Sequence, residues 1–180
     1  MKKRILLGVC GGIAAYKVGN LIEGLKRKNE IKVVMTNNST RFITPLTLQT
    51  LSGNPVYSEM FTLPKEWEVI HISLAKWANL ILVVPATANI IGKVASGIAD
   101  DLLSTIIMAS TSPVLFAPAM NKNMWKNRIL QENIKRLRKI GYYFIEPTRG
   151  VLANGEVGMG HLAPAETIIK EVEKTLNETK

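Results

Sequence analysis

A single cysteine, Cys10, is the only thiol in 180 residues. An internal disulfide and a cysteine-only metal site are therefore excluded. His71 and His161 are the only histidines, too few for an ordinary zinc cluster. No metal is expected. Aromatic residues make up 6%, and none interleave with basic residues as a nucleic-acid platform requires. No apolar stretch approaches the ~20 residues of a membrane span. Met1-Lys2-Lys3-Arg4 leads into only a short apolar run and then glycines, unlike a signal peptide. Repeats, low-complexity tracts and linkers are missing too. The expectation is a cytoplasmic protein with neither membrane nor nucleic acid as partner.

What is present suits one folded domain over residues 1–180, with 47% hydrophobic and 21% charged residues. A chain of this length buries roughly 70% of its unfolded surface, enough for a core without staples. The net charge of +9 is compatible with an anionic small molecule. Its basic clusters, Lys26-Arg27-Lys28 and Lys135–Lys139, sit among glutamates, as on solvated helix faces.

Apolar runs alternate with helical patterns, which predicts βα units. Strands are expected at Lys3–Val9, Ile31–Met35, Leu80–Val84, Val114–Ala117 and Tyr142–Ile145. Helices are expected at Ile13–Lys28, from about Thr40 with Pro45 starting or kinking it, Ile90–Gly97, Asp100–Ser110, Lys122–Ile140 and Pro164–Leu176. Asn54–Val69 reads as irregular, and Thr148–Gly160 as a glycine-rich loop. The fold class is α/β: a doubly wound parallel sheet, flavodoxin-like or Rossmann-like.

Open sheets of this kind bind ligands at the carboxyl ends of their strands. Two strands here run into Pro85 and Pro118, and each delivers an asparagine soon after, Asn89 and Asn121. These amides could cap helices or share a ligand pocket. Gly11 and Gly12 follow the first strand, where backbone N–H groups at a helix start can receive a phosphate. The dinucleotide pattern G-x-G-x-x-G is absent, so a mononucleotide phosphate fits better. The bland alternative is a tight turn without ligand. Thr36-Asn37-Asn38-Ser39 offers hydroxyls and amides after the adjacent strand, or a plain N-cap at Ser39. His71 lies among apolar neighbours, which favours a core histidine, although imidazole also suits proton transfer near neutrality. His161 reads as a surface residue. Asp100-Asp101 reads as first-turn acids complementing a helix dipole. Met120, Met124 and Trp125 are either core or the walls of a flat-ring pocket.

GGIAAYK (Gly11–Lys17), HISL (His71–Leu74), PATANIIGKVASGIADDLL (Pro85–Leu103), PAMNKNMW (Pro118–Trp125) and LANGEVGMG (Leu152–Gly160) follow in order. Together they resemble the flavin-dependent cysteine decarboxylases. They are most similar to the branch that acts on phosphopantothenoylcysteine in coenzyme A biosynthesis. The resemblance implies FMN near a subunit interface and assembly as homotrimers or dodecamers of trimers. It implies that Gly11 and Gly12 hold the FMN phosphate with Thr36, Asn38 and Ser39. Thr87, Ala88, Asn89 and Ala119 would lie along the flavin. Asn121 would bind the substrate carboxylate beside Met124, and His71 would be the catalytic base. Bacterial members are often fused to a synthetase, so the chain is expected to be a stand-alone form. Regulatory flavoproteins of this fold are a second class, but they carry long acidic tails that Asn177–Lys180 does not match. A flavin prenyltransferase is disfavoured by PAMNKNMW together with HISL.

One position departs from the pattern. The resemblance assigns the last protonation to a loop cysteine, and Asn154 stands there. Oxidation with loss of CO2 is expected to survive, and reduction of the resulting enethiol to be slow or absent. Three readings stay open: a replacement that traps an intermediate, a lantibiotic-type peptidyl-cysteine decarboxylase that releases the enethiol, or another proton donor.

Overall fold

The computed structural model describes residues 2–61 and 69–178. Its strands are β1 (Lys3–Val9), β2 (Asn29–Met35), β3 (Val56–Tyr57), β4 (Leu80–Ala86), β5 (Val114–Pro118), β6 (Tyr143–Phe144), β7 (Thr148–Val151) and β8 (Val157–His161). Its α-helices are α1 (Val18–Leu25), α2 (Pro45–Ser52), α3 (Ile70–Trp77), α4 (Ala88–Ala95), α5 (Leu102–Ala109), α6 (Lys122–Lys126), α7 (Arg128–Lys139) and α8 (Ala165–Glu178). Short 3-10 turns, Ile13–Lys17 and Asn37–Arg41, follow β1 and β2.

Six strands pair in the order β3-β2-β1-β4-β5-β6, all parallel. Apolar side chains on both faces explain this. In β1, Ile5, Leu7 and Val9 face one core, with Leu21 and Ile22 of α1, Leu48 of α2 and Val172 of α8. Leu6 faces the opposite core, with Leu74 of α3, Ile90 of α4, Ile106 of α5 and Ile134 of α7. A strand buried on both faces reads as a continuous apolar run, which β4 shows from Leu80 to Ala86. Each such leucine or isoleucine stabilises the fold by ~1.5–3 kcal/mol of transfer free energy. The doubly wound expectation is met. Chain order reverses between β1 and β4, so their carboxyl ends open a crevice at the switch point.

Several boundaries differ from expectation for local reasons. The expected Ile13–Lys28 helix begins as a 3-10 turn and stops at Leu25, and β2 starts at Asn29, two residues early. Pro45 starts α2 at its first turn, with the Thr44 hydroxyl accepting from Thr47 N–H. The Lys122–Ile140 helix is broken at Asn127, whose Oδ1 accepts from Ile129 N–H and starts α7 afresh. Helix α3 was not anticipated, because its eight residues carry few polar positions to set a period. Of the irregular 54–69 stretch, β3 adds a short strand, and residues 62–68, with Pro64 and Trp67, lie outside the described residues.

The largest correction concerns Thr148–Gly160. It is a hairpin, β7 against β8, not a loop. Gly160 anchors it: its carbonyl accepts from Met120 N–H at 2.9 Å. The φ of Gly160 is 129°, and an added Cβ would collide with the Met120 carbonyl oxygen. Gly160→Ala is expected to destabilise the fold by about 2–3 kcal/mol, read as a lower urea midpoint. An unchanged midpoint would show that the hairpin is not fixed at this point.

Candidate functional site

A cleft of about 800 Å³ opens at the switch point. Its floor is the end of β1 and the turn after it, Cys10 to Gly12. One side is the β2 turn, Thr36 to Asn38. The other is the start of α4, Thr87 to Ile90, followed by Ala119 to Asn121 after β5. Met124 and the β7–β8 hairpin, through Val151 to Asn154 and Gly160 to Leu162, add to the lining. The volume lies within the ~300–1,000 Å³ usual for small-molecule and cofactor sites.

Glycine is required in the first turn. A Cβ on Gly11 would lie 2.5 Å from Asn38 Cβ and 2.8 Å from its carbonyl carbon. The two turns can touch only because no side chain separates them. Their N–H groups and the Thr36 and Asn38 side chains thus border one concavity suited to an anion. Ser39 is different. It is fully buried, its hydroxyl donates to the Thr36 carbonyl at 2.6 Å, and it lies outside the lining. It stiffens the turn from within and is not the N-cap, since Thr36 occupies that position.

The two asparagines play unlike parts. Thr87 caps α4 through its hydroxyl, which accepts from Ile90 N–H at 3.4 Å. Asn89 is therefore released from capping and lies exposed in the cleft. Asn121 caps α6, its Oδ1 accepting from Asn123 N–H at 2.8 Å. That bond fixes the amide plane and leaves the Nδ2 donors for another partner. Met120 and Met124 line the cleft, whereas Trp125 packs against the second core. At the hairpin tip, the Asn154 amide donates to Glu156 Oε2 at 2.7 Å and its Oδ1 accepts from Glu156 N–H at 3.3 Å. Lys122 pairs with the same glutamate at 3.0 Å.

His71 does not line this cleft. It sits half-buried in the first turn of α3. Conversely, His161 does line it, contrary to the surface expectation. Its Nε2 lies 2.9 Å from Lys17 Nζ, a contact that only the tertiary fold reveals. Lys93 is a further lining residue that the sequence did not single out, and Cys10 and Asp101, read from the sequence without a site role, line the cleft too. Burial pushes the Cys10 thiol up to about 12, so it is inert near neutrality.

A family profile described as "Flavoprotein" matches residues 1–177. The chain belongs to the flavoprotein family. It is 51% identical over 177 residues to the coenzyme A biosynthesis bifunctional protein CoaBC of Borreliella burgdorferi, covering 98% of this chain and 45% of that one. The chain thus spans about half the length of such curated relatives. It is 46% identical over 179 residues to a probable phosphopantothenoylcysteine decarboxylase of Streptococcus mutans, covering 98% and 100% of the two chains. Among solved structures, it superposes with a TM-score of 0.90 on a Cys→Ser variant of PPC decarboxylase complexed with pantothenoylaminoethenethiol, at 34% identity and 98% and 100% coverage. No group of three or more His, Cys, Asp or Glu side chains that could hold a metal exists among the described residues.

The expectation of two first-turn acids is corrected: α5 begins at Leu102, Asp101 is its N-cap, and Asp100 lies before the helix. Asp101 Oδ1 accepts from Ser104 N–H at 2.8 Å, while Lys93 bridges Asp100 and Asp101 at 2.7 and 2.8 Å. Burial pushes the Asp101 carboxyl up, but the hydrogen bonds from Lys93 and Ser104 together outweigh it and hold it below the usual value. A depressed carboxyl stabilises the fold above its unfolded value, about 3.9, and loses that contribution as pH falls through the lowered one. Asp101→Asn should therefore lower thermal stability at pH 7 and flatten its fall below about pH 4. Parallel acid-melting curves for the two proteins would contradict this coupling.

Proposed function

We propose that this protein is an FMN-dependent decarboxylase of 4′-phosphopantothenoylcysteine, acting towards 4′-phosphopantetheine in coenzyme A biosynthesis. One observation carries the reading: a single cleft gathers Gly11, Gly12, Thr36, Asn38, Thr87, Ala88, Asn89, Ala119, Asn121, Met124 and Asn154. Most of the residues expected to hold a flavin and a cysteine carboxylate thus share one concavity. The touching turns at Gly11 and Asn38 suit the FMN phosphate. The apolar Ile90, Met120 and Leu162 suit a flat ring and exclude water from it.

Bound FMN supplies two-electron oxidation of the substrate C–S unit, which creates the electron sink that loss of CO2 requires. The chain's own residues do the rest. The Nδ2 donors of Asn121, held in plane by the Asn123 N–H, receive the substrate carboxylate and orient its scissile bond. His71 takes the proton from the substrate thiol. Because it lies on α3, away from its own cleft, it serves the cleft of a neighbouring copy in a homotrimer. Asn154 borders the cleft where an acid is needed for the last protonation. An amide already engaged with Glu156 has no acidic proton to give, so the enethiol accumulates. The same departure favours a second reading, a peptidyl-cysteine decarboxylase that releases an enethiol. The relative held with pantothenoylaminoethenethiol, itself a Cys→Ser variant, supports the stalled outcome.

The test is CO2 release from phosphopantothenoylcysteine by FMN-loaded protein, with mass analysis of the product. An enethiol two mass units below phosphopantetheine is expected to dominate. Fully reduced product at ordinary turnover would refute the stalled second half. His71→Asn should slow CO2 release by ~10²–10⁴-fold. Mixing His71→Asn with Asn121→Ala subunits should restore part of the activity; no recovery in verified mixed oligomers would show that His71 does not serve a neighbouring copy's cleft. Asn154→Cys is expected to raise the share of reduced product at least tenfold without slowing CO2 release, measured on the same product mixture.

A further inference from the structure

Two lysines line the cleft, and they are held in opposite ways. Lys93 is neutralised by Asp100 and Asp101. Lys17 has no carboxylate within ion-pair distance among the described residues; its Nζ meets the His161 ring nitrogen at 2.9 Å and lies 5.8 Å from the centre of the Tyr16 ring, both uncharged partners. An imidazole nitrogen that accepts this bond is uncharged, with its proton on Nδ1. It orients the ammonium but leaves the charge uncompensated. A half-buried cation without a counter-charge is costly, and the cost disappears when an anion arrives.

The surroundings fix the pair in place. Lys17 ends the 3-10 turn that starts at the Gly11–Gly12 bend. His161 follows Gly160, whose carbonyl holds Met120 N–H, and an added Cβ on Gly150 of β7 would lie 3.2 Å from the ring. The hairpin thus clamps the imidazole against the lysine from the far wall. The pair is separate in sequence from the Thr36–Asn38 turn that suits the flavin phosphate. Two phosphate groups enter the proposed reaction, one on FMN and one on the substrate, and each needs a cationic or N–H-rich seat.

We propose that Lys17 and His161 form a second phosphate-binding subsite, which seats the phosphomonoester of the substrate. This rests on the decarboxylase reading and deepens it by naming what recognises the acyl part. Lys17 supplies the charge, and His161, whose Nε2 accepts from Lys17, has its Nδ1–H to donate as a second hydrogen bond. A peptide ending in cysteine has no phosphomonoester and gains nothing from this seat. The subsite therefore selects the phosphorylated small molecule over a peptide.

The experiment has a binding arm and a kinetic arm, both on FMN-loaded protein. With two histidines in the chain, ring 15N signals are assigned by one substitution, His71→Gln. Adding 4′-phosphopantothenate should shift the His161 signals, and pantothenate should not. In the kinetic arm, Lys17→Met should reduce the kcat/KM ratio of phosphopantothenoylcysteine to pantothenoylcysteine at least tenfold, mainly through KM. Equal His161 shifts with both probes, or none, would overturn the proposal. So would an unchanged substrate ratio, or a Lys17→Met protein that loses affinity for FMN but not for riboflavin, since the seat would then hold the flavin phosphate. If neither cysteine compound loses CO2 while the phosphorylated probe alone shifts His161, the decarboxylase reading falls and the phosphate seat stands.

Discussion

The close approach of backbone to backbone at the sheet's carboxyl edge is the constraint on which the cleft depends. Gly11 touches the Asn38 turn, and Gly160 meets Met120. Neither contact leaves room for a Cβ. The first draws two strand-end turns into one concavity. The second brings the hairpin back over the strand ends and turns an open edge into a walled cleft. Without them the same strands would present separate turns to water, and no single ligand could reach all the polar groups at once.

Behind this edge the sheet is held by two independent cores, and their division matters to the site. Strands buried on both faces have no freedom to slip, because a shift of one residue would exchange the two apolar sets. The positions of Gly11, Thr87 and Ala119 are therefore set by packing far from the cleft. Local caps then finish the work. Thr87, Asn121 and Asp101 each begin a helix with a side-chain oxygen, and each borders the cleft. Capping and ligand binding draw on the same feature, a polar group placed where a strand ends and a helix starts.

The chemistry follows from how each polar group is already committed. Ser39 spends its hydroxyl inside its turn, so it shapes the site without facing it. Asn121 spends one end of its amide and keeps the other. Both ends of Asn154 are engaged with Glu156, which suits a hairpin tip better than a proton donor. Lys93 is neutralised by aspartates and Lys17 is not, so two lysines in one cleft carry very different electrostatic weight.

The sequence by itself determined the α/β class, the strand cores and most of the cleft-lining residues. Apolar runs of strand length, and turns carrying glycine, threonine and asparagine after them, are local signals, and an open parallel sheet places such turns together by its topology. Local signals were silent elsewhere. Helix α3 has too little polar periodicity to be seen, and the glycines of Thr148–Gly160 concealed a hairpin whose pairing is fixed by contact with Met120. His161 looked like a surface residue because nothing near it in sequence reveals Lys17, which is 144 residues away. Tertiary structure alone decided that pairing, as it decided that His71 stands apart from its own chain's cleft. Contacts between distant segments depend on how whole layers pack, and no window of neighbouring residues contains that information.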